Sequence, residues 1–498
     1  MLLIELDDKD PVPVQRQIIN GILSKIESGA IGPGDKLPST RRLAGTLGVH
    51  RSTVAIAYQE LWSLGHLDLR PRTSPRVRAR VPTAGDADNR GKGHIDWKKA
   101  SSRAADIVYG TYRGLNRQAA ASPGCAPIDF KSLDMDRRLF PLESFRTAMS
   151  RALRRHGASL LIYSRDRAGF GPLRETLARR LRAHGIAVSA DEVFLTNGAQ
   201  QGLDMILRLI AAPGRSVAVE TPTYQQIIPL LRFHGIRPVE IPVRDDGMDL
   251  NILEAALRIE RPSLVYTMPN FQNPTGVTTG QAHRERLFSL CDLHRVPILE
   301  DGFEEEMKYF GRVVLPIKSM DRRGLVIYCG TLSKVLFPGV RIGWIAADRA
   351  CVERLKAIRL FSELCGSAVP QAAIHEFLAS GAYDRHISRM HRVFRKRMQT
   401  ALRALRKEIK PEWAEWREPN GGYLIWLKVA PVPGMIRNWE ARLAAHGVVA
   451  APGRPFFFSG NRGAHFRLSI STLNEDEIVE GVRRLAGALR EAHGGRRV

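Results

Sequence analysis

No apolar run in the sequence reaches the roughly 18 residues that a membrane-spanning helix needs, and the first ten residues, MLLIELDDKD, lack the basic-then-apolar order of a secretory leader. The expected location is therefore the cytoplasm, with no membrane partner. Cysteine is scarce: Cys125, Cys291, Cys329, Cys351 and Cys365 stand far apart with no Cys-x-x-Cys pair. That spacing argues against a disulfide framework and against a metal site, and reduced core thiols are the expected state. No internal repeat is present, which excludes solenoids and propellers. Acidic residues are the minority, 51 Asp and Glu against 75 Lys and Arg, for a formal net charge of +24. Such a surplus favours association with a polyanion, although an arginine-rich proteome produces basic chains too.

At 498 residues the chain exceeds what one core usually supports, so two or three domains are expected. Residues 1–80 are dense in helical periodicity. The next stretch, 81–122, is rich in Pro, Gly, Ala, Asp, Ser and Arg without a sustained apolar period, and reads as a basic linker. Between Arg70 and Arg103 there are ten basic residues against three acids. From 123 to 498 the runs VFLTNG, SVAVE, SLVYTMP, VPILED and LVIYCGT alternate with helical segments. This is the pattern of an α/β domain, a mostly parallel sheet covered by helices on both faces. From about 370, a long basic helix and the short strands GGYLIWLKV and HFRLSIS predict a smaller α+β lobe.

In the first 80 residues, Val14, Ile18, Ile19, Ile22, Leu23 and Ile26 share one helical face that stops at Gly29. Leu43, Ala44 and Leu47 share a second, closed by Gly48. A third helix starts at Ser52 or Thr53, both competent caps, and is expected to bury Val54, Ala57, Tyr58, Leu61 and Leu64. Three helices with a tight Gly turn before the third make a helix-turn-helix, whose third helix presents its first residues to the DNA major groove. Arg41, Arg42, His50, Arg51, Ser52 and Thr53 are the candidate DNA contacts, with a solvated surface charge the competing reading of each arginine. The strings DKLPSTRRLA, LGVHRSTV and AYxxLxxxG resemble the GntR family of bacterial winged-helix regulators. By that resemblance Arg41 and Arg51 match DNA-contacting arginines, and Thr53 a capping hydroxyl beside them. The wing departs from the family's Gly-Ser-Gly tip: it reads Arg72-Thr73-Ser74-Pro75-Arg76, which leaves phosphates as the expected targets of Arg72, Arg76, Arg78 and Arg80.

Farther on, a β-run ends in a hydroxyl-rich turn, Tyr328-Cys-Gly-Thr331-Leu-Ser333-Lys334, followed by Pro338-Gly339, Arg341 and Gly343-Trp344. Thr331, Ser333 and Arg341 can reach an anion from the turn that carries Lys334. The string resembles the lysine motif of class I/II aminotransferases of fold type I, whose cofactor is pyridoxal 5′-phosphate (PLP). Such a cofactor needs a lysine for a Schiff base, a carboxylate beside the pyridine nitrogen, donors for the phosphate and a ring against its face.

The resemblance supplies each. Lys334 matches the Schiff-base lysine. Asp301, 33 residues earlier at the end of VPILED, matches the pyridinium partner, with a helix cap as its other reading. Asn273, in an Asn-Pro-Thr-Gly turn, matches the residue bonded to the PLP phenolic oxygen. Gly198, Ala199 and Gln200 open a helix where a phosphate would sit, and Tyr224 matches the stacking ring. Arg467 matches the arginine that takes a ligand carboxylate as a bidentate pair. Tyr163 resembles a tyrosine that reaches a partner subunit's phosphate, and core packing explains it nearly as well. Where the family carries a tyrosine two residues after the aspartate, this sequence has Phe303. The missing hydroxyl removes a stabiliser of the ionised phenolic oxygen.

The two resemblances together identify the chain as a member of the MocR-type subgroup of GntR regulators, in which the aminotransferase-like domain serves as sensor. They imply a head-to-tail homodimer on a double-stranded DNA operator, nucleoid-associated when bound. A small amino compound acts as effector by forming an external aldimine in place of Lys334. A working aminotransferase with an accessory DNA-binding head stays open as the alternative, and so does a dimerisation scaffold without PLP.

Overall fold

The computed structural model describes residues 4–7, 10–70, 73–78, 95–115, 126–210, 212–311, 314–432, 439–459 and 463–494. The chain divides into two units, residues 1–101 and 102–498.

In the first unit, helix α1 (Val14–Glu27) buries Ile18, Ile19, Ile22 and Ile26, the face its periodicity predicts. Ser39 caps α2 (Thr40–Leu47) by accepting the Arg42 amide, and Gly48 ends it at φ 67, a left-handed geometry glycine adopts without strain. Helix α3 (Arg51–Ser63) buries Val54, Ala57, Tyr58 and Leu61 against these two. Two expectations are corrected here. The cap of α3 is His50, not Ser52 or Thr53: its Nδ1 accepts the Ser52 amide at 3.3 Å and lies 2.6 Å from Ser52 Oγ. Leu64 is 55% exposed, because the helix ends at Ser63 and the chain turns away through Gly65. A two-stranded antiparallel wing, β1 (Leu67–Asp68) and β2 (Arg76–Val77), completes the winged helix-turn-helix. Arg72 and Arg80 lie outside the described residues.

The stretch read as a linker is in part helical. Asp96 caps a single turn at Trp97–Ala100, and α4 follows at Arg103–Leu115. Ala104, Ile107, Val108 and Thr111, spaced by three and four, form its half-buried face. That face is short enough to be lost among the polar residues around it. It packs on the helix Ile227–Phe233 of the same unit. Residues 81–94 and 116–122 lie outside the described residues.

The second unit is built on an eight-stranded mixed sheet. In chain order its strands are β3 (Val193–Thr196), β4 (Ser216–Thr221), β5 (Arg237–Arg244), β6 (Gly247–Met248), β7 (Val265–Thr267), β8 (Ile298–Asp301), β9 (Val326–Thr331) and β10 (Gly343–Ala346). Across the sheet they run β3-β10-β9-β8-β7-β4-β5-β6. Strand β10 is antiparallel to both neighbours and β6 is antiparallel to β5; the other pairings are parallel. Strands β3, β4, β7, β8 and β9 are buried at every residue, which explains why their sequences read as apolar runs rich in β-branched residues.

The smaller lobe forms as predicted. A 27-residue helix, α5 (Ala382–Glu408), packs on α6 (Glu475–His493) beside a four-stranded antiparallel sheet. In that sheet β11 (Leu424–Val429) pairs with β12 (His465–Ser469), Leu424 opposite Ser469. Arg397 of α5 ties the lobe to the start of the unit through Asp136 Oδ2 at 2.6 Å, both side chains buried.

Candidate cofactor site and nucleic-acid interface

The parallel strands end together at one edge of the large sheet, and the loops leaving that edge converge. After β3, Asn197-Gly198-Ala199-Gln200 opens the 12-residue helix Ala199–Ile210, whose first N–H groups and dipole favour an anion. Gly198 stands there at φ +79, a left-handed conformation that glycine adopts without strain, with Arg341 Nη2 packed against the space a Cβ would take. Arg341 donates Nη2 to the Asn197 carbonyl at 2.8 Å. Thr331, across the sheet from Thr196 by way of Gly343, accepts the Ser333 amide at 3.1 Å. Tyr224, after β4, donates its hydroxyl to Gln200 at 3.2 Å. The structure thus brings Gly198, Ala199, Gln200, Thr331, Ser333 and Arg341 together as a cluster that could cradle an anion, with the Tyr224 ring at its side.

Asp301 closes β8 and is 3% exposed. Tyr266 of β7, in the adjacent strand, donates its hydroxyl to Asp301 Oδ2 at 2.9 Å, while Oδ1 has no hydrogen-bond partner. Burial raises the Asp301 pKa to about 6, although the Tyr266 hydroxyl and the nearby Phe303 amide pull the other way. Lys334 is half-buried, and its Nζ donates to the Leu133 carbonyl at 3.2 Å. Burial lowers its pKa, opposed by the charges of Glu304 and Asp134, so the neutral amine that attacks a carbonyl is the easier to reach. Arg467, on β12, is 2% exposed. It donates Nη1 to Asn273 Oδ1 at 3.0 Å and Nη2 to the Lys131 carbonyl at 3.1 Å, and lies over the Phe456 ring at 5.0 Å. Burial lowers its pKa to about 10.

A bare buried carboxylate oxygen, a desolvated amine and an anion cradle together suit a phosphorylated pyridine that carries an aldehyde and a ring proton. Tyr163 is not joined to them. It is 74% exposed, beside Leu161 and Ile162 at 72% and 69%. Several participants escape a reading of the sequence. Tyr266 sits mid-strand in an apolar run and looks like core; Lys131 and Leu133 act through backbone carbonyls, which no motif reports. Glu304 and Tyr423 also belong to the pocket, and only the unusual acidic run Glu304-Glu305-Glu306 hints at the first.

In the helix-turn-helix unit, Arg41, Arg42, His50, Arg51 and Ser52 are exposed at the starts of α2 and α3, and Thr53 is half-buried. Arg51 Nε donates to Thr40 Oγ1 at 3.3 Å, which ties the two helix starts into one surface. In the wing, Arg76 is engaged by the Gly34 carbonyl at 2.8 Å and Arg78 by Asp68 at 3.2 Å.

Comparison with known proteins agrees with both halves. Residues 14–77 match the family "Bacterial regulatory proteins, gntR family", and residues 132–485 match "Aminotransferase class I and II". The HTH-type transcriptional regulator YdcR of Escherichia coli (strain K12) is 31% identical over 96% of this chain and 99% of its own length. The probable rhizopine catabolism regulatory protein MocR of Rhizobium meliloti is 28% identical over 98% of this chain and 96% of its own.

The chain belongs to the MocR-type subgroup of the GntR regulators.

The aminotransferase-like part of this MocR-type chain superposes on LysN, the α-aminoadipate aminotransferase of Thermus thermophilus, with a TM-score of 0.72 and 31% identity. The match covers 80% of this chain and 99% of LysN, which was solved in complex with N-(5'-phosphopyridoxyl)-L-leucine. PLP is the cofactor of the aminotransferase class. Among the described residues of the MocR-type chain no cluster of side chains suits a metal ion, and no helix is long and apolar enough to cross a membrane.

Proposed function

We propose that the chain is a PLP-dependent transcription regulator in which Lys334 holds the cofactor and an amino-group effector is sensed at that lysine. The observation that carries the reading is the bare Oδ1 of Asp301, buried at the end of β8 where a protonated pyridine nitrogen would give it a partner. When bound, PLP supplies an aldehyde that a lysine or an effector amine can hold by turns. The protein's own residues do the rest. Gly198, Ala199, Gln200, Thr331, Ser333 and Arg341 hold the phosphate, Tyr224 flanks the ring, Asn273 faces the phenolic oxygen, and Arg467 takes a carboxylate.

The DNA-binding head uses Arg41, Arg42, His50, Arg51, Ser52 and Thr53 on an operator. An effector that binds one arrangement of the dimer better than another shifts its DNA affinity. The exposed run Leu161-Ile162-Tyr163 suits burial against a second copy, with Tyr163 reaching that copy's phosphate, in a head-to-tail homodimer. Residues 1–80 act as the head, 81–122 as the tether and 123–498 as the sensor; the protein works in the cytoplasm, at the nucleoid when bound to its operator.

Borohydride reduction of PLP-loaded protein tests the lysine: the expected result is a stable adduct at Lys334, and an unmodified Lys334 overturns the reading. In Lys334→Ala, nonspecific DNA affinity should persist while the response to amino compounds disappears. A working aminotransferase is the second reading, favoured by the presence of every cradle residue. Rapid conversion of PLP to its amine form by an amino donor would establish it.

A further inference from the structure

Helix α3 carries two charged residues, Arg51 and Glu60, in a chain of which 25% is charged. Both are employed within the head. Arg51 is tied to Thr40 of α2, and Glu60 accepts from Gln15 of α1 at 3.0 Å and from Arg16. The face of α3 opposite its buried residues is a stripe at three- and four-residue spacing, Ser52, Ile56, Gln59 and Ser63, each of them exposed. Its two hydroxyls are turned to the helix itself: Ser52 Oγ lies 2.6 Å from His50 Nδ1, and Ser63 Oγ donates to the Glu60 carbonyl at 2.8 Å. Between them stands Ile56, 50% exposed.

A single exposed apolar side chain is ordinary on a protein surface. Two facts set this one apart. Isoleucine is a poorer helix former than the Lys, Glu or Arg that suit a solvent-facing position, so neither propensity nor core packing accounts for it. Moreover, Ile56 lies one turn beyond Ser52, on a face that starts beside the exposed Arg41, Arg42 and Arg51. Those guanidiniums are complementary to the phosphates of a duplex, whereas a branched alkyl group offers a phosphate nothing and gains only from a base edge. The major groove admits a helix, and thymine alone among the four bases presents a methyl group there.

We propose that Ile56 packs against a thymine C5 methyl in the major groove, so that each half-site of the operator carries a thymine where the second turn of α3 lies. The inference rests on the reading of α3 as the helix that enters DNA, and adds a base that it reads.

Duplexes are selected from a random library with full-length PLP-loaded protein. Each thymine of the selected consensus is then replaced singly by deoxyuridine, which keeps the base pair and removes the methyl group alone. Affinity is measured by anisotropy titration at one fixed salt concentration. The expected result is one thymine per half-site at which deoxyuridine weakens binding by about fourfold, the worth of one buried methyl-sized group. In Ile56→Ala the loss at that position should fall to within about 1.5-fold. This ratio compares two duplexes on one protein and is independent of the variant's overall affinity. A loss of unaltered size in Ile56→Ala overturns the inference and assigns the methyl group to another side chain. A protein that enriches no sequence overturns the reading of α3 as a groove helix, and this inference with it. An enriched consensus indifferent to deoxyuridine at every thymine overturns this inference alone, whether or not the variant folds, and leaves Ile56 to a protein partner.

Discussion

The Tyr266 hydroxyl donates to one oxygen of Asp301, at 2.9 Å, and leaves the other oxygen of the same buried carboxylate bare. One strand thus orients the carboxylate presented by its neighbour, and the free oxygen is the one available to a ring nitrogen. In Tyr266→Phe the carboxylate loses a donor that favours its ionised form, so the Asp301 pKa should rise above about 6. A hydrogen bond to a charged group is worth about 1.5–3 kcal/mol. PLP affinity, measured by absorbance titration, should fall by about tenfold or more, and unchanged affinity would show that the hydroxyl does not orient Asp301.

Phe303 occupies the position at which the family places a tyrosine, and it is 8% exposed. Phe303→Tyr adds a donor for the ionised phenolic oxygen of bound PLP and should move the pH midpoint of the cofactor's absorbance transition downward. The comparison is an absorbance titration of the two PLP-loaded proteins; superimposable curves would refute a role for this position.

Arg51 is exposed at the first turn of α3 and is tied to Thr40 of α2. If it contacts a DNA phosphate, Arg51→Ala should weaken binding to all sequences alike. The slope of log affinity against log salt should become shallower by about 0.9. Filter-binding or anisotropy titrations at several salt concentrations measure this, and an unchanged slope would remove Arg51 from the phosphate contacts.

The cofactor-free protein should lose stability as pH rises. Glu304 has a pKa of about 8 in the folded protein against 4.5 for an ordinary glutamate, so the folded state binds more protons than the unfolded one between those values. Its contribution is fully present below about pH 4.5 and is lost as the pH passes through about 8. Isosteric Glu304→Gln removes that loss. Its Tm advantage over the unaltered apoprotein should be small near pH 5 and reach its full size above about pH 8. A difference independent of pH would mean that Glu304 keeps its charge when folded.

Much of the fold can be read from residue order alone. The apolar spacing of Ile18, Ile22 and Ile26, the Gly48 turn and the β-branched runs each encode a local preference that packing only reinforces. The hydroxyls of Ser52 and Thr53 draw the expected start of α3 too far along the chain, because imidazole is seldom considered as a cap, although its Nδ1 accepts an amide as a hydroxyl does. The helix Arg103–Leu115 escapes a linear reading because its apolar face is short and is stabilised by a partner, Ile227–Phe233, more than a hundred residues away.

By itself the sequence determined which chemistry is present. The spacing of Lys334, Asp301, Asn273 and Arg467 follows strand ends that recur in one order, and the head's motifs lie within a few turns of each other. Only the tertiary structure decided which groups face one another across long separations. Tyr266 belongs to Asp301 because their strands are adjacent in the sheet, and Leu133 meets Lys334 because the start of the second unit passes over the pocket. Glu304 is pushed toward its neutral form because burial withdrew water from it, with Tyr423, far along the chain, the group that opposes the shift. Such pairings depend on distance and desolvation, which a linear pattern does not record.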